Sequence, residues 1–371
     1  MQNFKLIISG GGTGGHIFPA LSIANAVKSK YPDAEILFIG AENRMEMERV
    51  PAMGYPIIGL PVAGFDRKNL LKNIIVLFKL IQSLLKARKI VKNFKPDIVI
   101  GVGGYAGGPT LRAANQLRIP TLLQEQNSYA GVTNKLLSKK AATICVAYEG
   151  METFFPKEKI VLTGNPIRRD LACSDKKRKA AFDYFNLDPA KKTILVLGGS
   201  LGARTINESV LSSIEAIRNS DAQFIWQCGK YYYKDMQLKI ETGEQKTENI
   251  RLLEFISRMD LAYSVADLVI SRAGAGSISE LSVLGKSIIL VPSPNVAEDH
   301  QTKNAMALAK NNAAVMIADK DARKELIPKA LELIDNKIQL QELSSNILKR
   351  ALPDADAKIL NEIEKIVGIW E

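Results

Sequence analysis

The sequence predicts an α/β protein built from two Rossmann-like domains that face a common cleft. Short apolar strand-like runs alternate with longer helix-like stretches, and this alternation restarts near residue 192. Each half also opens with a strand that leads into a glycine-rich turn. A chain of 371 residues exceeds the length at which one hydrophobic core usually keeps growing, which again favours two domains.

Four strands are predicted in each half from short apolar runs. In the first half these are Leu6–Ser9, Ile36–Ile39, Asp97–Ile100 and Thr121–Leu123. In the second half they are Thr193–Leu197, Gln223–Gln227, Leu268–Ser271 and Ser287–Val291. Continuous apolar runs separated by helical periodicity are typical of parallel strands buried on both faces.

The domain boundaries follow from where the pattern restarts. We expect a first Rossmann-like domain over 1–165, a second over 166–353 and a final helical segment over 354–371. The polar segment Thr163–Asp170 is the predicted linker. Two facing Rossmann-like domains would place a ligand cleft between the carboxyl ends of both sheets.

Composition limits the classes of protein. No apolar run reaches the roughly 18–20 residues that span a bilayer, and Met1–Ser9 lacks a cleavage-site pattern. The three cysteines show neither metal-ligand nor disulfide spacing, which is typical of a reducing cytoplasm. Residues 1–165 carry 21 Lys and Arg against 11 Asp and Glu, whereas the remainder is nearly neutral. The basic half therefore predicts an anionic partner: a membrane, a nucleic acid or a phosphorylated substrate.

The glycine loop after the first strand predicts a phosphate site. Gly10-x-Gly12-x-x-Gly15 matches the dinucleotide fingerprint, but the acid that should close the second strand is missing: Glu35 opens that strand and Glu42 stands late. A turn without a ligand is the alternative. His16, one of only two histidines, follows at the helix start, where a neutral imidazole is favoured and could act as a general base; a packed structural histidine is the other interpretation.

A second glycine turn, Ser271–Glu280, again lies between a strand and a helix. Its amides could receive a diphosphate, and Glu280 could bind a ribose diol. Ser277-x-x-Glu280 is equally the pattern of a capping box, so the residues alone leave both interpretations open.

These motifs together resemble the bacterial peptidoglycan N-acetylglucosaminyltransferases, which convert lipid I to lipid II. The resemblance runs from about residue 5 to about residue 310 and is carried by motifs in family order: Gly11–His16, Gly103–Tyr105, Glu125–Asn127, Thr163–Pro166, Gly198–Ser200, Ser271–Gly274 and His300–Gln301. Two positions depart from the pattern. Gln124 stands where the family often has histidine, and His300 stands where some members have glutamine.

The resemblance implies the GT-B fold, with UDP-N-acetylglucosamine bound mainly by the second domain, 166–353. It also implies that the first domain, 1–165, holds the acceptor and faces the membrane, and that the segment 354–371 packs back on the first domain. It implies that Ile256 contacts the uracil through its backbone, Glu280 the ribose, and the glycine turn the diphosphate. The donor residues so implied are Thr13, Gly14, Gly15, Asn127, Arg168, Ser200, Ile256, Gly274, Ala275, Gly276, Ser277, Glu280, His300 and Gln301. On the acceptor side it implies Gly103, Gly104 and Tyr105.

The implied reaction inverts the anomeric centre in one displacement, with His16 or Glu125 as the general base. The residues do not choose between these two, although His16 is slightly favoured. No cofactor and no metal are expected. The Asp-x-Asp at Asp354–Asp356 is interpreted as charge near the start of the last helix and not as a metal site, because it lies far from both glycine loops.

A basic amphipathic helix is predicted within residues 67–95, which hold nine Lys and Arg and no acid. We expect the face that includes Lys72, Ile75, Phe78, Lys79 and Lys86 to meet an anionic membrane surface, with the rest packing on the sheet. The protein is therefore expected to be cytoplasmic and peripheral on the inner face of the cell membrane.

Three other functions are weighed against this one. A glycolipid synthase using UDP-galactose or UDP-glucose is the closest, and a nicotinamide-dependent oxidoreductase shares the glycine-loop fold. A nucleic-acid-binding module is disfavoured because residues 67–95 contain only two aromatic side chains, Phe78 and Phe94. The expected partners are UDP-N-acetylglucosamine, lipid I, the anionic membrane surface and other wall-synthesis proteins.

Overall fold

The structure, a computed structural model, describes residues 4–64, 72–167, 171, 175–199, 201–241, 248–296 and 299–368. The chain divides into two compact units. The first comprises Met1–Ile167 with Leu352–Glu371, and the second comprises Arg168–Ala351. The predicted site residues Arg168 and Ser200 lie outside the described residues, as does the side chain of Lys72.

The described part of the first unit contains a seven-stranded parallel sheet in the order β3-β2-β1-β4-β5-β6-β7. Its strands are β1 (Lys5–Ser9), β2 (Glu35–Ala41), β3 (Ile57–Leu60), β4 (Ile98–Gly101), β5 (Thr121–Glu125), β6 (Thr143–Val146) and β7 (Ile160–Leu162). The strand order reverses between β1 and β4. Ligands bind at such a switch point, outside the carboxyl ends of the strands.

Helices cover both faces of this sheet. They are α1 (Gly14–Lys30), α2 (Glu46–Ala52), α3 (Lys72–Phe94), α4 (Gly107–Gln116) and α5 (Val132–Leu137), with short 3-10 helices at Ser138–Lys140, Met151–Thr153 and Lys157–Lys159. The helix near the end of the chain, Ala355–Val367, packs against α1 and buries Ile359 and Ile363 in the same core. The Tyr31 hydroxyl donates to Glu364 over 2.9 Å at this contact.

The second unit repeats the architecture. The described strands form a six-stranded parallel sheet, β10-β9-β8-β11-β12-β13, that reverses between β8 and β11. They are β8 (Thr193–Leu197), β9 (Gln223–Gln227), β10 (Ile250–Leu253), β11 (Leu268–Ser271), β12 (Ile288–Leu290) and β13 (Val315–Met316). The helices are α6 (Asp175–Phe185), α7 (Arg204–Ser212), α8 (Ile214–Arg218), α9 (Tyr233–Glu241), α10 (Met259–Val265), α11 (Ala275–Val283), α12 (His300–Ala309), α13 (Asp319–Asp335) and α14 (Lys337–Leu348); the Ala355–Val367 helix is α15.

The predicted fold class, two Rossmann-like α/β units with parallel sheets, is confirmed. All eight strands predicted from apolar runs are present, with ends that differ by a few residues. Within the described residues, no helix is long and apolar enough to cross a membrane.

Candidate functional site

In the first unit, the glycine loop after β1 is shaped by a buried carboxylate. Gly11 and Gly12 have φ angles of +143° and +88°, a region that side chains rarely adopt. A methyl group on Gly11 would lie 2.1 Å from Oε1 of Glu46, so only glycine fits there. Glu46 begins α2 and accepts the N–H of Gly12 on both carboxylate oxygens (3.0 Å each) and the N–H of Ala41 on Oε1 (2.9 Å).

His16 lies in the first turn of α1, beside this loop. Its Nδ1 is 3.1 Å from the carbonyl oxygen of Gly11 and 3.2 Å from the hydroxyl of Thr13. A carbonyl oxygen can only accept, so the contact with Gly11 requires the proton on Nδ1. In the neutral ring Nε2 then carries the lone pair and is the nitrogen that can take a proton from a substrate hydroxyl.

The loop after β4 closes against the same ring. Gly103 and Gly104 also have positive φ angles, +91° and +84°. A methyl group on Gly103 would lie 2.9 Å from Nε2 of His16, and one on Gly104 would lie 2.4 Å from the carbonyl oxygen of Gly11. The exposed Tyr105 follows. The glycine loops after β1 and after β4 therefore meet at the switch point between these strands, with His16 beside both of them.

Glu125 ends β5 and is only 2% exposed. Four N–H groups donate to its carboxylate: the backbone and side-chain amides of Asn127 (3.2 and 3.3 Å), the backbone of Gly131 (3.0 Å) and the side chain of Asn134 (2.9 Å). These contacts hold the 126–131 loop. A carboxylate so surrounded by donors has little remaining capacity to accept a substrate proton.

The residue before it, Gln124, joins a buried amide cluster. Its Nε2 donates to Oδ1 of Asn165 over 2.9 Å, while Nδ2 of Asn165 donates to the carbonyl oxygen of Gln126 over 2.9 Å. The side chain of Gln126 donates back to Oε1 of Gln124. Glutamine therefore fits this position as a structural link between β5 and the segment after β7.

The prediction that Glu42 stands late after the second strand was wrong. Strand β2 extends to Ala41, so Glu42 directly follows it, at the position where dinucleotide-binding folds carry a ribose-binding acid. Its carboxylate forms an ion pair with Lys86 of α3 at 2.8 Å. Because Glu42 stands at this position, a missing ribose-binding acid is no longer an argument against a nicotinamide site.

In the second unit, α11 begins directly after the β11 turn, with Gly274 as its N-cap residue. The first N–H groups of a helix have no intrahelical partner, so those of Ala275, Gly276 and Ser277 form an anion-binding end. Because Ser277 lies inside the helix, it cannot cap it, and the capping-box interpretation is wrong.

Glu280 is held by a tyrosine instead. The hydroxyl of Tyr263, a residue of α10 that is 1% exposed, donates to Oε2 of Glu280 over 3.1 Å. The contact fixes one carboxylate oxygen of Glu280. Tyr263 was missed by sequence reasoning because its apolar surroundings resemble those of any core residue.

Ile256 lies beside a cavity of about 520 Å³ lined by residues 184–186, 250–253 and 255–257 together with Tyr233, Gln237 and Ile240. Its backbone N–H donates to Oε1 of Gln227, at the end of β9, over 3.1 Å. The carbonyl is then the backbone group through which Ile256 would contact a nucleobase.

Arg272 and the start of α12 complete the carboxyl edge of this sheet. The Arg272 guanidinium donates to the carbonyls of Val291 and Pro292 (3.1 and 3.2 Å) and pairs with Asp319, which in turn accepts the Thr205 hydroxyl over 2.9 Å. These contacts tie together the connections that follow β8, β11, β12 and β13.

His300 and Gln301 form the first turn of α12. The Oε1 of Gln301 accepts the backbone N–H of Ser293 over 2.8 Å, so its side-chain NH₂ group is the part that could reach a sugar. Among the described residues, no group of three His, Cys, Asp or Glu has the arrangement of a metal site.

Comparisons with known proteins identify the family of the chain. The glycosyltransferase family 28 N-terminal domain matches residues 6–146, and the family 28 C-terminal domain matches residues 193–359. The chain is 61% identical over 366 residues to the UDP-N-acetylglucosamine–N-acetylmuramyl-(pentapeptide) pyrophosphoryl-undecaprenol N-acetylglucosamine transferase of Phocaeicola vulgatus, covering 98% of this chain and 97% of that protein. It is 59% identical to the same-named enzyme of Parabacteroides distasonis, covering 99% of each.

Solved structures give the same result. The crystal structure of MurG from Acinetobacter baumannii matches with a TM-score of 0.78 at 29% identity, covering 98% of this chain and 99% of that one. The calicheamicin glycosyltransferase CalG4, at 14% identity, 99% coverage of each chain and a TM-score of 0.73, shares the fold. The resemblance seen in the motifs is confirmed: the chain belongs to the family of UDP-N-acetylglucosamine–N-acetylmuramyl-(pentapeptide) pyrophosphoryl-undecaprenol N-acetylglucosamine transferases.

Proposed function

We propose that the chain transfers N-acetylglucosamine from UDP-N-acetylglucosamine to the muramoyl sugar of undecaprenyl-linked lipid I, giving lipid II for peptidoglycan synthesis. The observation that carries this function is identity of 50–61% to eight enzymes so named, over 98–99% of this chain. Family membership also sets the oxidoreductase alternative aside, although Glu42 stands where such an enzyme could hold a ribose.

The donor binds mainly to the second unit in this proposal. The first-turn amides of α11 receive the diphosphate, where they offset the negative charge that develops as UDP leaves. Glu280, oriented by Tyr263, accepts hydrogen bonds from the ribose hydroxyls. Ile256, His300, Gln301, Arg168 and Ser200 remain predicted donor contacts, the last two from the family motifs alone.

The acceptor binds to the first unit, where His16 is the general base. The contact between Nδ1 of His16 and the carbonyl oxygen of Gly11 supports this role, because it makes Nε2 the basic nitrogen of the ring. Glu125 is less suited because four N–H groups already converge on it. Gly103, Gly104 and Tyr105 form the wall beside His16. Thr13, Gly14, Gly15 and Asn127, also in the first unit, remain predicted donor contacts.

The test is transfer of labelled sugar to a lipid I analogue, with UDP-N-acetylglucosamine, UDP-galactose and UDP-glucose supplied in parallel. Product from the first donor alone is expected. Product from either hexose at a comparable kcat/KM would instead support the glycolipid synthase, and no product from any donor would leave only the fold.

We place the protein on the inner face of the cell membrane, held there through α3. The buried side chains of this helix include Val76, Ser83, Ala87 and Val91, which form the stripe that packs on the unit. Six other apolar side chains of the helix are exposed by half or more: Ile74, Ile75, Leu77, Phe78, Ile81 and Leu85. An apolar face of this size, with basic residues following it, suits an anionic bilayer surface.

Replacing Ile75 and Phe78 with Ser and Lys79 with Glu is expected to weaken binding to vesicles of phosphatidylcholine and phosphatidylglycerol by roughly tenfold or more, because both apolar anchoring and charge attraction are lost. Ile75 and Phe78 are 60% and 70% exposed, so folding should survive. Co-sedimentation measures the binding. The matched control changes Leu238 and Ile338 of the second unit, also exposed, to Ser; equal binding by both variants and the parent would refute this location.

A further inference from the structure

One peptide group in the first unit lies between a buried carboxylate and the proposed base. The Gly11–Gly12 peptide presents its N–H to both oxygens of Glu46 (3.0 Å each), while its carbonyl oxygen lies 3.1 Å from Nδ1 of His16. The two contacts are on opposite sides of one planar amide, so Glu46 and His16 are linked through a single rigid unit.

The surrounding structure is built to hold this arrangement. Glu46 is 1% exposed, and a second N–H, from Ala41 at the end of β2, fixes its Oε1 at 2.9 Å. The left-handed conformations of Gly11 and Gly12 turn the peptide so that its N–H points at the carboxylate. A buried carboxylate requires such partners, and the loop requires an acceptor at this position.

We propose that Glu46 is a positioning residue for His16, acting through the Gly11–Gly12 peptide. A carboxylate that accepts the amide N–H polarises the peptide and makes its carbonyl oxygen a stronger acceptor. The stronger acceptor holds the proton on Nδ1 of His16 and fixes the ring plane. Nε2 then faces outward from this bond with its lone pair, in the tautomer that a general base needs.

The hydroxyl of Thr13 is compatible with either tautomer of His16. It lies 3.2 Å from Nδ1 of His16 and can accept from a protonated Nδ1 or donate to an unprotonated one. Of these two partners, the Gly11 carbonyl is the one that favours a single tautomer, because it can accept a hydrogen bond but cannot donate one. Loss of the Glu46 charge should therefore shift part of the population to the opposite tautomer, with the proton on Nε2.

The tautomer can be read directly, because the chain contains only two histidines, His16 and His300. Ring ¹⁵N chemical shifts of the full-length protein distinguish the two tautomers, and His300→Gln identifies the His16 signals. In the parent protein the Nδ1–H tautomer of His16 is expected to predominate. Predominance of the Nε2–H tautomer there would overturn the proposal, whether or not any variant folds.

Glu46→Gln keeps the shape of the side chain and removes its charge. We expect a measurable rise in the Nε2–H tautomer of His16, whereas Glu48→Gln, an exposed carboxylate on the same helix, should cause none. Unchanged ring shifts in a folded Glu46→Gln protein would overturn the proposal.

The catalytic part of the inference rests on the proposed role of His16. Glu46→Gln should lower kcat for sugar transfer by about tenfold or more and leave KM for UDP-N-acetylglucosamine unchanged. In a His16→Ala background the same change should have no further effect, because Glu46 acts through His16. If the reductions in kcat caused by Glu46→Gln and His16→Ala were additive in free energy, Glu46 would not act through His16. A tautomer shift without a change in kcat would leave the link intact and remove His16 from the mechanism, so the two failures are distinguishable.

Discussion

Replacing His16 with Ala is expected to lower kcat for sugar transfer by about two to four orders of magnitude, the usual contribution of a general base. The side chain contacts its own loop through Nδ1, so Nε2 is the atom whose loss matters. KM for UDP-N-acetylglucosamine should change little, because the donor is assigned mainly to the other unit. Steady-state kinetics with a lipid I analogue at saturating donor measure both quantities.

Glu125→Gln is the informative comparison for this experiment. It places an NH₂ group among the four N–H donors that now meet the carboxylate, and should therefore lower the melting temperature. If His16→Ala retained the parent kcat while a folded Glu125→Gln lost it, the assignment of the base would be reversed.

Replacing Glu280 with Ala is expected to raise KM for UDP-N-acetylglucosamine by roughly 10- to 100-fold, the cost of losing hydrogen bonds to a charged acceptor. The effect on kcat should be smaller, because the ribose is remote from the anomeric carbon. Tyr263→Phe removes the hydroxyl that orients Oε2 and should raise KM in the same direction by a smaller factor.

A donor analogue lacking the ribose 2′-hydroxyl provides the control. With this analogue the parent protein loses part of its interaction with the ribose. The difference in donor KM between the parent and Glu280→Ala should therefore be smaller than with UDP-N-acetylglucosamine. An undiminished difference would show that Glu280 acts elsewhere than at the ribose.

The strands that carry the site were predictable because they are fully buried. The β1 and β8 runs are continuous apolar segments followed by glycines, and each has the predicted position. Short strands such as β13 and β3 were not predicted, since they are two and four residues long with partly exposed side chains. Such segments carry little periodicity to distinguish them from loops.

The chemistry of the site was predictable only in part. Residue types and spacing predicted a histidine at a helix start, and the structure adds that its Nδ1 contacts the carbonyl oxygen of Gly11. The proposed role of Glu46 depends on its contact with Gly12, which lies 34 residues away in the sequence, and no local sequence pattern indicates such a contact. The capping-box interpretation was wrong because the N-cap residue is Gly274, three residues before Ser277, at a boundary set by the β11 turn.

The most direct test of the account is the anomeric configuration of the product. UDP-N-acetylglucosamine carries an α-linked sugar, and a general base in the first unit implies one direct displacement at its anomeric carbon. NMR of the disaccharide formed on a lipid I analogue should therefore show a β-linkage. An α-linkage would require a covalent intermediate or front-side attack, and would contradict both the assignment of His16 and the single-displacement mechanism.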